Sequence, residues 1–506
     1  MTKLGKRRIV WTLLGAQAAL AMAMAPAFAA EGSITLALPS EPTSLDACDD
    51  STNANARVLR GNIVEGLTRL DPQTGVVQPL LATEWTRADD NNWLFTIRPG
   101  VTFHDGAPLD AEAVVFGINR SMNPDLVCQT LSLFANKTTA SVESEMVVRI
   151  TTETPDPILP ARIAYIDLPS PATPANAKTD TPIGTGPYQL GSREIGQSIV
   201  LNAYAGYWGD APAIATATYL WRSEPTIRAS MVKTGEADIA IDIPFHEAEG
   251  APNAQEYSTN SVFFLRPMLR KPPLDDVRVR QAVAAAIDKV TLTEVLMERS
   301  GKPTDQLVTP LINGNVPDFA GVPYDVEKAK ALLAEAKADG VPVETPIALI
   351  ARTDLFSGST EIAQALQQML QQAGFTVTLE AVDSVAWSPW ARKPDSLTQP
   401  VNLLMSAHDN ISGDASLSFP NNFGSGGRLS MADDADLDAR LAAAAVLSGD
   451  ARTAAYRDIA REAYAEHIVI PVAELQSRLL LSDRVNYQSN GFTDIELHLS
   501  EVTLRQ

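Results

Sequence analysis

Five histidines occur in the chain, at His104, His246, His408, His467 and His498. None is spaced as a metal pair, and two cysteines, Cys48 and Cys128, add no ligand cluster, so a dedicated metal site is not expected. His104 stands beside Asp105 and just before Gly106. With no nucleophile or base close by, the pair reads as turn chemistry rather than as an acid–base couple. Glu236 and Asp238 likewise read as turn and surface groups. The sequence has no Gly-x-Ser-x-Gly elbow, no His-Glu-x-x-His and no P-loop, which counts against a hydrolase. No catalytic residue and no cofactor is assigned. What remains is the chemistry of recognition. Trp387 and Trp390 offer aromatic faces for flat, apolar or cationic groups, and Trp221 beside Arg222 offers a face next to a charge. Arg266 and Arg270 offer planar forks of donors suited to a carboxylate.

The chain that must position these groups has 506 residues, too many for a single core. It is 45% hydrophobic and 20% charged, the balance of a folded globular protein. Its formal net charge of −21 argues against nucleic acid and against anionic lipid, and fits a monomer kept apart from its copies by self-repulsion. The N-terminus has the layout of a secretory signal peptide: Lys3, Lys6, Arg7 and Arg8, an apolar run from Ile9 to Ala25, then Pro26 and Ala27-Phe28-Ala29. Cleavage after Ala29, or one residue later, gives a leader of residues 1–29; the alternative is an uncleaved membrane anchor. The first cysteine is Cys48, so none near the cleavage site can carry a lipid. In an oxidising compartment Cys48 and Cys128 could form one bridge, provided the fold brings them within reach.

Short alternating or apolar runs read as strands at Ile34–Leu38, Trp93–Ile97, Met146–Ile150, Ile199–Ala203, Thr218–Leu220 and Phe375–Leu379. The second half is richer in helix. Asp276, Asp325 and Asp450 are placed to cap helices with apolar stripes three or four residues apart, and Thr360 starts another that Gly374 ends. Helix and strand in repeated succession indicate α/β layers.

Several blocks stand in a fixed order: Pro39-Ser-Glu-Pro-Thr-Ser-Leu-Asp46, Ile63-Val-Glu-Gly-Leu67, Phe95-Thr-Ile-Arg-Pro-Gly-Val-Thr-Phe-His-Asp-Gly106, Phe116-Gly-Ile-Asn-Arg120, Gly184-Thr-Gly-Pro-Tyr188, Gly235-Glu-Ala-Asp-Ile239 and Asp276-Val-Arg-Val-Arg280. Together they resemble the family 5 solute-binding proteins of ABC importers, the group with dipeptide-, oligopeptide- and nickel-binding members, over essentially the whole mature chain. The resemblance implies an α/β, two-lobed periplasmic-binding-protein fold of the class II-like kind, with an extra subdomain in lobe I. Lobe I would comprise residues 30–262, with the subdomain at about 53–183; lobe II would be 263–471, and 472–506 would return to lobe I. Pro272-Pro273 and Ile468–Leu475 read as the places where the chain changes lobe.

The implied function is capture of a small solute between two closing lobes and its delivery to a permease complex in the inner membrane, by a periplasmic monomer that is neither an enzyme nor a lipoprotein. A secreted hydrolase, or a sensor or chaperone component, is the alternative. In peptide-binding relatives an aspartate of the second lobe receives the ligand's ammonium. The matching stretch is Ser406-Ala-His-Asp-Asn-Ile-Ser-Gly-Asp-Ala415, so the resemblance places Asp409 there, with His408 beside it. That stretch lacks the usual tryptophan and has Ala415 where proline is common. Trp387, Trp390, Arg266, Arg270, Trp221 and Arg222 complete the candidate ligand set.

Overall fold

The computed structural model describes residues 32–50, 53–134, 137–489 and 496–505, so the leader lies outside the described residues. Asp276 and Asp325 each accept a backbone N–H of the first helical turn, from Arg278 and Lys328, and so start α-helices at Val277 and Val326. Asp450 falls one place inside its helix, which starts at Gly449 with Ser448 at the N-cap; Thr360 is likewise inside a helix that starts at Ser359. The strand expected at Phe375–Leu379 runs Val377–Val382, because Gly374 and Phe375 still close the preceding helix through bonds to Gln371 and Leu370.

One eleven-stranded sheet spans both lobes. Ten of its strands are, in chain order, β1 (Ser33–Leu38), β2 (Tyr188–Glu194), β3 (Ser198–Ala203), β4 (Thr216–Trp221), β5 (Ile239–Ile241), β6 (Ala254–Pro267), β7 (Ile347–Arg352), β8 (Val377–Val382), β9 (Asn402–Asp409) and β10 (Ile470–Leu481). Their spatial order is β8-β7-β9-β6-β10-β5-β1-β4-β3-β2, and Gly301–Pro303 pairs with β10 off this path. The two long strands β6 and β10 are antiparallel neighbours at the centre and belong to both lobes. Pro272-Pro273 lies beyond the end of β6, in the turn before the helix Val277–Ala286; the strand itself carries the chain across.

In lobe I, β1 runs parallel to β4 and β5 over a core that includes Ile34, Leu36, Tyr188 and Tyr219. A separate four-stranded antiparallel sheet packs on the helix Ala111–Ser121 through Phe95, Val114 and Ile118. In lobe II, β7 runs parallel to β8 and β9, and helices Val277–Ala286, Val326–Ala338 and Ser359–Gln372 bury its apolar face.

The sequence blocks meet in space. Asp46 and Arg120 form a buried two-pronged ion pair with bonds of 2.8 and 2.7 Å. Gly184 and Gly186 press against the backbone of Ile63 and Asn62: a Cβ on Gly184 would fall 2.0 Å from the Ile63 carbonyl oxygen. His104 serves this contact, since its Nε2 donates to the Gly186 carbonyl at 2.9 Å and its Nδ1 accepts from the Gly184 N–H. Asp105 accepts from Ala107 N–H and Ser170 hydroxyl. Asp238 is buried, not a surface group: it accepts from Thr35 N–H and the Ser482 hydroxyl and so ties β1 to the end of β10. Cys48 and Cys128 are disulfide-bonded, with Cα atoms 5.1 Å apart, and join lobe I to the segment after the helix Ala111–Ser121.

Candidate ligand cleft

The strand register locates the cleft. β9 is antiparallel to β6 and ends at Asp409, opposite Ser261. β5 is antiparallel to β10 and ends just before Asp242, whose carboxylate accepts from Ser477 at 2.9 Å. The carboxyl ends of the parallel strands in both lobes therefore converge on the middle of β6 and β10, where open α/β sheets place their ligands. The pairing of these two strands is broken there. A bulge separates Ser258 from Val262, and Asn260 adopts φ 54. Such a break re-aims side chains and marks a natural point of bending.

The groups at this junction are polar. Ser258 donates to Glu474 at 2.9 Å, and Arg57 donates to Asp242 at 2.9 Å. The Asp409 side chain accepts from the Ser261 hydroxyl, is exposed, and has no cation within ion-pair distance among the described residues. At the end of β7, Arg352 lies with its guanidinium carbon 5.4 Å from the centre of the Trp387 ring and 3.1 Å from the Asp354 carboxylate through Nε. An exposed carboxylate on β9 and a cation on β7 thus stand at the ends of adjacent parallel strands, Arg352 on the face that carries Trp387 and Asp409 on the other.

The other candidates are placed as follows. Trp387 is buried, donates from Nε1 to the Met405 carbonyl at 3.0 Å and supports Arg352; Trp390 is half-buried in the same cluster. His408 points to the opposite side of β9 from Asp409, bonds to the Ser418 hydroxyl at 2.7 Å, and is held neutral because burial lowers its pKa to about 4. Arg266 is 2% exposed and is committed to three carbonyls: Trp390 at 2.6 Å, Ala391 at 2.7 Å and Leu429 at 3.2 Å. Burial alone lowers its pKa, to about 9. Arg270 donates to the carbonyls of Met431 and Ala432 and pairs with Asp433. Both arginines pin the 390–433 segment onto lobe II. Trp221 packs against the lobe I core, and exposed Arg222 donates to the Trp221 carbonyl.

Arg352, Arg57, Asp242 and Glu474 were not among the residues singled out from sequence. The signal for Arg352 was present: the apolar run Ile347–Ala351 ends on it, as a buried strand ends at a functional edge.

Residues 76–427 match the family model of bacterial extracellular solute-binding proteins, family 5 Middle. The chain belongs to this family. It is therefore the periplasmic substrate-binding component of an ABC importer, a transport protein rather than an enzyme, and its partners are membrane permease components. It is 29% identical over 378 residues to the glutathione-binding protein of Salmonella typhimurium, covering 72% of each chain. The fold is similar to that of the ABC transporter substrate-binding protein CtaP from Listeria monocytogenes, with TM-score 0.83, 20% identity, and coverage of 94% of this chain and 100% of that one. NikA from Brucella suis, solved with Fe(III)-EDTA, gives TM-score 0.81 at 21% identity over 94% and 100% of the chains. In this family 5 protein the two-lobed fold carries additional subdomain elements, the four-stranded sheet of lobe I among them.

Proposed function

We propose that this solute-binding protein captures a short peptide or peptide-like conjugate carrying both an ammonium and a carboxylate. Asp409 receives the ammonium and Arg352 receives the carboxylate. The observation that carries this reading is the exposed Asp409 carboxylate, which has no ion-pair partner among the described residues and lies at the end of the strand parallel to the one ending on Arg352. A ligand buried by closure must bring a countercharge for Asp409, because an unpaired buried charge costs several kcal/mol or more; Arg352 already pairs with Asp354 and offers its remaining donors. The Salmonella relative is a glutathione-binding protein, which supports the same chemical class. Trp387 holds the Arg352 guanidinium by its ring face and limits where the carboxylate can sit.

The lobes are taken as residues 30–262 and 263–471 with a return at 472–506, supported by strands β6 and β10 spanning both of those boundaries. The chain is read as exported by its 1–29 leader, free of lipid and monomeric; the basic, apolar and small-residue order of the leader and the charge of −21 support this.

Titration calorimetry with dialanine, N-acetyl-dialanine and dialanine amide tests the ligand class. Dialanine binds, and each blocked form binds at least about tenfold more weakly, the loss set by a charged hydrogen bond. Equal binding of all three, or no binding of any, rejects the zwitterion reading.

A further inference from the structure

We propose that lobe II holds a second small-molecule site, distinct from the cleft, that takes a small monocarboxylate with a compact apolar body. A cavity of about 310 Å³ lies between the end of the long helix Gly449–Ala465, the start of β10 and the loop around Phe319–Pro323. It shares no residue with the cleft junction. Its polar lining includes Lys289, Lys328, Asp305, His467 and Gln281, and its apolar lining includes Phe319 and Pro323.

His467 is the observation that points to a ligand. The residue is 9% exposed, lines the cavity, and its ring has no hydrogen-bond or ion-pair partner among the described residues. Its backbone has φ 49, at the left-handed position that ends the helix and that glycine occupies most easily. Burial, with help from Arg280 and Lys289, pushes its pKa down to about 4, so the ring is neutral and presents one N–H donor.

The charges around it select an anion of one unit. Lys289 is neutralised by Asp305, with a bond of 2.5 Å, and also donates to the Thr304 carbonyl. Arg280 is occupied by the carbonyls of Leu274, Asp275 and Glu466 and by the Glu466 carboxylate. The Lys328 ammonium has no partner among the described residues and is exposed at the edge of the cavity. A carboxylate reaching both Lys328 and the His467 N–H completes the balance, and Phe319 and Pro323 cover the body attached to it.

The test uses benzoate as the probe and neutral benzamide as its control, by calorimetry on the full mature chain. Benzoate binds saturably and benzamide does not. His467→Gly removes the ring and relaxes the backbone, so the fold and dialanine binding persist while benzoate affinity falls at least about tenfold. Lys328→Gln lowers benzoate affinity in the same direction. Absence of saturable benzoate binding, equal affinity for benzamide, or unchanged benzoate affinity in His467→Gly overturns the proposal. These outcomes are read independently of dialanine, so failure of the cleft assignment leaves them interpretable.

Discussion

The Ser261 hydroxyl donates to the Asp409 carboxylate, and the two residues are also register partners across β6 and β9. The bond orients an exposed acid from the strand that links the lobes, so the group proposed to receive the ligand's ammonium is mounted beside the bulge at Asn260. Replacing Asp409 by Asn removes the charge while keeping an acceptor for Ser261. Dialanine affinity is expected to fall about a hundredfold, in line with truncation of a desolvated charge pair, with the melting temperature of the free protein unchanged. Unchanged affinity by calorimetry removes Asp409 from the site.

The Asp46–Arg120 pair is closed on every side. Arg120 also donates to the carbonyls of Pro174 and Ala177, and Asp46 accepts from Cys48 and Thr179 N–H. Burial pushes the Asp46 carboxyl upward, but the bonds from Arg120 and the two backbone donors more than reverse that, and its pKa is lowered. Arg120→Ala leaves Asp46 buried and alone and is expected to destabilise lobe I by about 3–5 kcal/mol. Urea unfolding read by tryptophan fluorescence measures it; a loss under about 1 kcal/mol contradicts the assignment.

Glu65 gives a pH dependence of defined sign. Burial raises its pKa to about 7 against the bonds from Trp208, Thr185 and Tyr207. Its unfolded value is near 4.5, so between these two pH values the folded state holds a proton that the unfolded state has lost. Stability from this group is therefore full below about pH 4.5 and declines as pH rises through 7. Unfolding midpoints of Glu65→Gln are expected to vary less between pH 5 and 7.5 than those of the parent, with other titrating groups common to both proteins. Identical profiles would refute the buried-acid reading.

The Cys48–Cys128 bridge spans a sequence separation of 80. In the chain-entropy model a loop of that length contributes about 4.5 kcal/mol. Reduction, or replacement of both cysteines by serine, is expected to lower the urea midpoint substantially, and intact-mass measurement with and without reductant reports the bridge directly. An oxidised protein and its serine variant with equal midpoints would show the link to be neutral.

Local chemistry was legible in the sequence wherever it acts over a few residues. Asp276 and Asp325 could be read as caps because an N-cap bonds two or three residues ahead. The family and the two-lobed α/β fold were legible because Asp46, Arg120, Glu65, His104 and the Gly184–Gly186 turn stand in blocks, each of which touches another block in the fold. The role of Arg266 was not legible. An arginine in an apolar strand does not disclose which face it takes, and its three carbonyl partners lie 124 to 163 residues away. The same holds for Arg57 and Asp242, 185 residues apart, which only the sheet order brings together.

β5 borders β10, with Ile239 opposite Leu481, and β1 lies on the other side of β5. Roughly 240 residues, all of lobe II among them, separate those two partners, so the first half of the polypeptide cannot complete its own sheet. Without β10 the edge of β5 is unpaired, and lobe II lacks the core residues Ile470, Val472 and Ala473 that the same strand supplies. A chain cut short before that strand is thus left with two lobes, each missing the same partner.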